Sequence, residues 1–298
     1  MVAACVLAAV APAHAQNRGV YPLGMSATNS GVTPQPGFTY ANQLLYYSRD
    51  HATDDNGDAL PVTGEHYVLM DMNTFAWVSD WKVLGGANFS MVATLPVARN
   101  SLTSDINGRI SGGSGFADSY YIPIVFGWNR DRVGIRAMYG FLAPTGRFNA
   151  GASDNVGSGY WTHTLSSGQT FYLVPDKSLS LSAFEMYEYH TTQKDTGIHP
   201  GDTFDLDYSL MKSVGGSDAV QWQIGIAGYN ARQITAKTGP GINEPESSDR
   251  YAVNSLGIAV ASAFPKHKTG LTLKLFKEFS NRSTFQGYSV QVSGSIAF

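Results

Sequence analysis

The chain has 298 residues, of which 43% are hydrophobic and only 14% charged, with a formal net charge of −3. That charge excludes a nucleic-acid binder, which needs a basic field, and 12% aromatic residues beside so small a net charge exclude a disordered chain. No apolar run reaches the ~20 residues of a spanning helix, so this Gly-rich composition leaves a secreted all-β protein or a transmembrane β-barrel.

Residues 1–15, MVAACVLAAVAPAHA, are apolar and end in Ala13-His14-Ala15 before Gln16. Small residues at the −3 and −1 positions fit a signal-peptidase site, so a signal peptide is expected over 1–15, although no Lys or Arg precedes the apolar run. Cys5, the one cysteine, would leave with it, and the mature chain would hold no disulfide, thiolate nucleophile or cysteine metal site. Residues 16–37, rich in Gly and Pro, are expected either to plug a barrel lumen or to lie across its periplasmic mouth.

Beyond Gly37, period-2 stretches predict twelve strands. They run Phe38 to Ser48, Tyr67 to Trp77, Gly86 to Leu95, Tyr120 to Trp128, Val133 to Leu142 and Tyr160 to Leu173. The second half runs Ser178 to Tyr189, Thr203 to Met211, Val220 to Tyr229, Tyr251 to Phe264, Leu271 to Glu278 and Phe285 to Phe298. Connections after even strands are short, as in Asn129–Arg132 and Val174–Lys177. Those after odd strands are mostly long and rich in Gly, Asp, Asn and Ser, as in His51–Glu65, Ala98–Ser119 and Ala231–Arg250; Phe279–Thr284 alone breaks the rule. This alternation predicts an all-β fold: a twelve-stranded antiparallel transmembrane β-barrel over 38–298, with short periplasmic turns and long extracellular loops.

Strand polarity points the same way. Phe89 and Met91 oppose Asn88 and Ser90; Phe204, Leu206 and Leu210 oppose Thr203, Asp205 and Asp207; Leu271, Leu273 and Leu275 oppose Thr272 and Lys274. In the fourth strand Tyr120, Ile122, Ile124, Phe126 and Trp128 share one parity. With the apolar face toward lipid, where a charge costs ~2–4 kcal/mol at mid-depth, the polar face lines the lumen. In the seventh strand Leu179 and Leu181 have the opposite parity to Phe184 and Met186; a β-bulge near Ser182 would restore the pattern and turn Glu185 inward. Aromatic pairs at strand ends, among them Tyr46-Tyr47, Tyr120-Tyr121, Tyr160-Trp161, Tyr187 with Tyr189, and Tyr229 with Tyr251, are expected to form the outer girdle, and Trp77, Trp81, Trp128, Phe171, Trp222 and Phe264 the periplasmic one.

The last strand alternates Tyr288, Val290, Val292, Ile296 and Phe298, like the C-terminal signal by which outer-membrane proteins address the barrel assembly machinery. Tyr21-Pro22-Leu23-Gly24, Gly31-Val32-Thr33-Pro34-Gln35-Pro36-Gly37 through Asn42, and Leu45-Tyr46-Tyr47-Ser48 form a recognisable opening. With Pro144-Thr145-Gly146-Arg147-Phe148, Asn155 and Gly157, Trp161-Thr162, Tyr187-Glu188-Tyr189, Pro200-Gly201-Asp202, Asp207-Tyr208, Gly225 to Tyr229 and Gln233, the chain resembles the bacterial outer-membrane proteins associated with the meta-pathway of phenol degradation. Ser158-Gly159 departs from the Asn expected before the aromatic pair. The resemblance implies a bacterial outer-membrane barrel passing aromatic or other apolar compounds, and it supplies no catalytic or ligand residue.

An enzyme is not expected. Outer-membrane lipases place Ser two residues after His on one strand, and none of the seven histidines has Ser there. Asp54-Asp55-Asn56-Gly57-Asp58 misses calcium-loop spacing and reads as a loop tip. No metal and no cofactor are assigned. The candidate lumen residues are Asp71, Arg136, Glu185, Asp205, Asp207 and Lys274, either as a solute-selecting lining or as charge pairs filling a narrow barrel. Arg136 is expected to pair with Glu185, Asp205 or Asp207 across the lumen. The expected function is passive uptake of small apolar or aromatic molecules; the alternative is a structural or surface-interaction barrel with a closed lumen. The expected partners are outer-membrane lipid, the assembly machinery and a small hydrophobic solute, with no nucleic acid.

Overall fold

Alternating apolar and polar residues make each strand two-faced, and a sheet with one face in lipid must close on itself to leave no edge. The computed structural model does so. It describes residues 19–60, 66–104, 108–217 and 219–298; the expected signal peptide lies outside them. The strands are β1 (Gly37–Ala52), β2 (His66–Val83), β3 (Ala87–Ser104), β4 (Gly108–Ser111), β5 (Ser114–Phe116), β6 (Ser119–Asn129) and β7 (Val133–Ala143). Then come β8 (Thr162–Tyr172), β9 (Leu179–His190), β10 (Thr203–Gly216), β11 (Gln221–Gln233), β12 (Ala252–Phe264), β13 (Thr269–Glu278) and β14 (Phe285–Ala297). Each long strand pairs antiparallel with its chain neighbour, and β1 pairs β14, so twelve strands close a barrel. β4 and β5 are short additions to β3 at the long-loop end, where the sequence indicated only loop.

The outer face is apolar. Leu271, Leu273 and Leu275 on β13, Trp222, Ile224 and Ile226 on β11, and Phe204 and Leu210 on β10 are exposed, while Lys274, Asp205, Asp207 and Ser209 between them are buried. On β14, Tyr288, Val292 and Ile296 face outward at the seam with β1, and Phe298 extends past the strand. At the short-turn end Trp81, Trp77, Phe89, Phe126 and Trp128 form a continuous outer belt with ring centroids 6.0–6.4 Å apart. At the long-loop end Tyr46 contacts Tyr67 and Tyr288. The expected outer girdle is only half there: Tyr47, Tyr160, Tyr229 and Tyr251 are buried inside the barrel. Adjacent strand residues point to opposite faces, so one member of each contiguous pair turns inward, whereas Tyr187 and Tyr189 share the outer face and Tyr229 and Tyr251 both turn inward.

Three expectations about facing are corrected. β9 alternates without interruption: Ser180, Ser182, Phe184, Met186, Glu188 and His190 are all buried, and its register with β8 and β10 is unbroken. No bulge forms near Ser182, and Glu185 faces outward, where Ser167 Oγ (2.8 Å) and Gln169 Nε2 (3.0 Å) donate to it. On β2, Met70 and Met72 face the lumen and Asp71 faces outward, accepting from Asn42 Nδ2. The bulge lies instead in β6. Its register slips against both β3 and β7 around Pro123, which has no N–H to give a ladder. Val92, Tyr120 and Ile122 consequently pack with inward-facing Val125, while Ile124 is exposed.

These placements can be read directly by spin labels, since the only cysteine lies at position 5. Nitroxides at 71 and 185 should collide with bilayer-dissolved oxygen, whereas labels at 72 and 186 should be shielded. The reverse accessibility would overturn the facing assigned to β2 and β9.

Candidate functional site in the barrel lumen

Residues 19–33 run inside the barrel along the wall from β6 round to β14, Pro34–Pro36 being exposed, and buried side chains of that wall hold their backbone. Asp207 on β10 accepts from Tyr21 Oη (2.6 Å), Gly24 N (2.9 Å) and Ser26 N (3.0 Å). Glu188 on β9 accepts from Val20 N (3.0 Å), Tyr21 N (2.8 Å) and Thr203 Oγ1 (2.7 Å). Lys274 on β13 donates to Gly24 O (2.7 Å) and Met25 O (2.6 Å). Gln291 on β14 donates to Leu23 O, Ser209 to Ala27 O, and Arg136 Nε to Ser30 O at 2.6 Å. A Gly- and Pro-rich segment forms little internal ladder, so its N–H and C=O groups would be orphaned in a dry lumen without these partners.

Close approach is set by glycine. A Cβ on Gly31 would run into the Gly134 carbonyl, and one on Gly168 into the Ser30 carbonyl, so segment and wall touch backbone to backbone there. Leu23 and Ala27 then complete an apolar cluster with Met211, Ala227, Tyr229 and Phe276.

Because the segment lies to one side, the other half of the lumen stays open. A cavity of about 820 Å³ remains, bounded by the segment, by β1–β3 and by β6–β10. Its wall is dominated by Leu45, Met70, Met72, Met138, Phe184 and Met186. At the long-loop end Asp118 folds the 144–161 loop over the mouth, accepting from Gly146 N (2.9 Å), Ser158 N (2.7 Å) and Ser158 Oγ (2.6 Å). The Pro144–Phe148 and Asn155–Gly157 motifs therefore shape the entrance.

Of the sequence candidates, Arg136 and Asp205 line this cavity; Lys274 and Asp207 face inward but are taken up by the segment; Asp71 and Glu185 are on the outer wall. Arg136 pairs with a backbone carbonyl rather than with Glu185, Asp205 or Asp207, because the segment stands between the walls. Asp205 Oδ2 is buried without a hydrogen-bond partner. Sequence reasoning missed Glu188, Asp118 and the methionines. Glu188 was within reach, as an acid between two tyrosines at a strand end; turning Asp71 and Glu185 inward placed Met70, Met72 and Met186 toward lipid, whereas Met138 shares the inward parity of Arg136. The Asp54 carboxylate accepts from the N–H groups of Asn56 and Asp58, which is the geometry of a loop tip. Among the described residues no group of three His, Cys, Asp or Glu is placed to hold a metal ion.

A family model described as "Putative MetA-pathway of phenol degradation" matches residues 49–293. Among solved structures, the COG4313 outer membrane channel from Pseudomonas putida F1 superposes with a TM-score of 0.72 at 15% identity, covering 91% of this chain and 98% of its own. The β domain of the Bordetella autotransporter BrkA superposes with a TM-score of 0.54 at 10% identity, covering 88% of this chain and 100% of its own. No curated protein matches the chain.

The Asp207 contacts give the sharpest mutational test of this arrangement. Asp207→Ala leaves Tyr21 Oη and Gly24 N without their acceptor, at ~1–3 kcal/mol for each donor left buried and unsatisfied, while Ser26 N keeps its bond to Tyr21 Oη. Residues 19–30 should become protease-sensitive in the folded barrel, with heat-modifiable gel mobility retained. Unchanged protection would show that the carboxylate does not hold the segment.

Proposed function

The chain belongs to the phenol-degradation family whose model spans residues 49–293, a family of outer-membrane β-barrels, and on that footing we propose that it is a channel for passive uptake of small apolar or aromatic compounds. The observation that carries the reading is the cavity wall. The larger part of the chamber wall is apolar, with Leu45, Met70, Met72, Met138, Phe184 and Met186 beside a polar minority that includes Arg136 and Asp205, around a volume of about 820 Å³. That size is ordinary for a small-molecule site. Unbranched thioethers adapt to many shapes, which suits a passage that accepts related compounds rather than one.

In this reading the long loops are extracellular and both termini periplasmic, as short turns on the periplasmic side require. Solute enters beneath the 144–161 loop and partitions into the chamber. The outward Tyr288, Val290, Val292, Ile296 and Phe298 serve as the assembly signal, and the apolar outer wall meets lipid. The protein performs no bond chemistry in this reading.

Calorimetric titration of the detergent-solubilised protein with naphthalene tests it. We expect saturable binding that Met72→Lys weakens at least ~10-fold, equivalent to ~1.4 kcal/mol, and slower growth on aromatic substrates after gene deletion. Absence of saturable binding, together with a barrel that passes no current in planar bilayers, would favour the structural or surface-interaction role.

A further inference from the structure

A second cavity of about 220 Å³ lies at the short-turn end, lined by Ala41, Thr272, Lys274, Ser293 and Ser295, near the ends of β1, β13 and β14. Met25, Thr28 and Gln43 line both this space and the large chamber. The chamber itself reaches the long-loop end at Arg49, His66 and Phe285. The two spaces therefore follow one another along the barrel between the inner segment and the β1–β14 wall, and they meet at these three residues.

The backbone of Met25 cannot move far. Its N–H donates to Pro22 O at 3.2 Å and its carbonyl accepts from Lys274 Nζ at 2.6 Å. Its side chain, in contrast, rests against the cluster of Leu45, Tyr47 and Met72 and is only partly buried. A methionine side chain has three rotatable bonds and no branch, and rotamer exchange takes picoseconds to nanoseconds where packing is incomplete. Chemistry also changes at this level. Above it the near wall carries Leu45, Tyr47, Met70 and Met72; Gln43 lies at the level itself, and below it Thr272, Ser293 and Ser295 are polar.

We propose that the Met25 side chain, opposed by Gln43 and Thr28, is the constriction of a permeation route that runs along the β1–β14 side of the inner segment. The Met25 thioether swings on a fixed backbone to let one solute past. An apolar solute held in the chamber loses its apolar contacts on passing Met25 and leaves through the polar space to water, an uphill step drawn forward only by a lower solute concentration on the far side. The solute class in this account rests on the function proposed above, whereas the route itself does not, because ions can report it.

Single-channel conductance in planar bilayers tests the route, with folded mobility on unheated gels required of every variant. Met25→Ala should raise the conductance about two- to threefold and Met25→Trp should lower it to less than about half. The outward-facing Met91→Ala serves as control and should conduct as the original protein does. Met25→Cys should be blocked stepwise by a methanethiosulfonate reagent and restored by a reductant. Wild-type conductance in both Met25→Ala and Met25→Trp, no block of Met25→Cys, or no current through any of these proteins would overturn the proposal. Naphthalene titration of the same variants separates the two claims: failure to bind with intact Met25 gating sinks the solute class alone, and normal binding without gating sinks the route alone.

Discussion

The lumen depends on buried side chains of the wall bonding to the backbone of residues 19–33. Asp207, Glu188, Lys274, Gln291 and Arg136 each end on N–H or C=O groups of that segment. A buried charge is tolerable only when paired or hydrogen-bonded, and an irregular segment inside a barrel is tolerable only when its backbone is satisfied. Each requirement meets the other. The consequence is positional: the segment lies on the side of β7–β14 that carries these groups, and the space along β1–β3 stays open.

The same asymmetry sorts the residue types. Glycines occupy the wall where the segment crosses it, as at Gly134 and Gly168, because a Cβ would strike a carbonyl there. Methionine and other apolar residues occupy the wall where the segment meets it through the Tyr21 and Met25 side chains, as at Met72, Met138 and Met186. The outer face is mostly apolar; charged residues such as Arg99, Lys212, Arg232 and Lys277 lie towards strand ends, and two acids, Asp71 and Glu185, are hydrogen-bonded by neighbouring amide and hydroxyl groups, Asp71 by Asn42 and Glu185 by Ser167 and Gln169. Those donors lower the cost of a carboxylate at a lipid-facing position.

Most of the barrel was legible from period and loop length, because closure and alternation leave direct marks on sequence. The twelve long strands fall where alternation placed them, with β2 and β3 extending furthest past the expected ends. Facing failed at three places, and they share a cause. Assigning apolar residues to lipid presumes a polar lumen, yet Met70 and Met72 on β2, Phe184 and Met186 on β9, and Tyr120 and Ile122 on β6 face an apolar chamber. The errors therefore outline the site, as expected where function overrides pattern. The Arg136 partner was illegible for another reason: a backbone carbonyl has no sequence signature, and only the path of the segment brings Ser30 to it.

The central claim is that residues 19–33 fill one side of the lumen and thereby form both the chamber and its narrow exit. Deletion of residues 19–33, followed by single-channel recording of the refolded barrel, tests it most directly. The account predicts a conductance several-fold higher, as expected of an emptied lumen, with saturable naphthalene binding lost. A deletion variant that conducts and binds like the intact protein would contradict it.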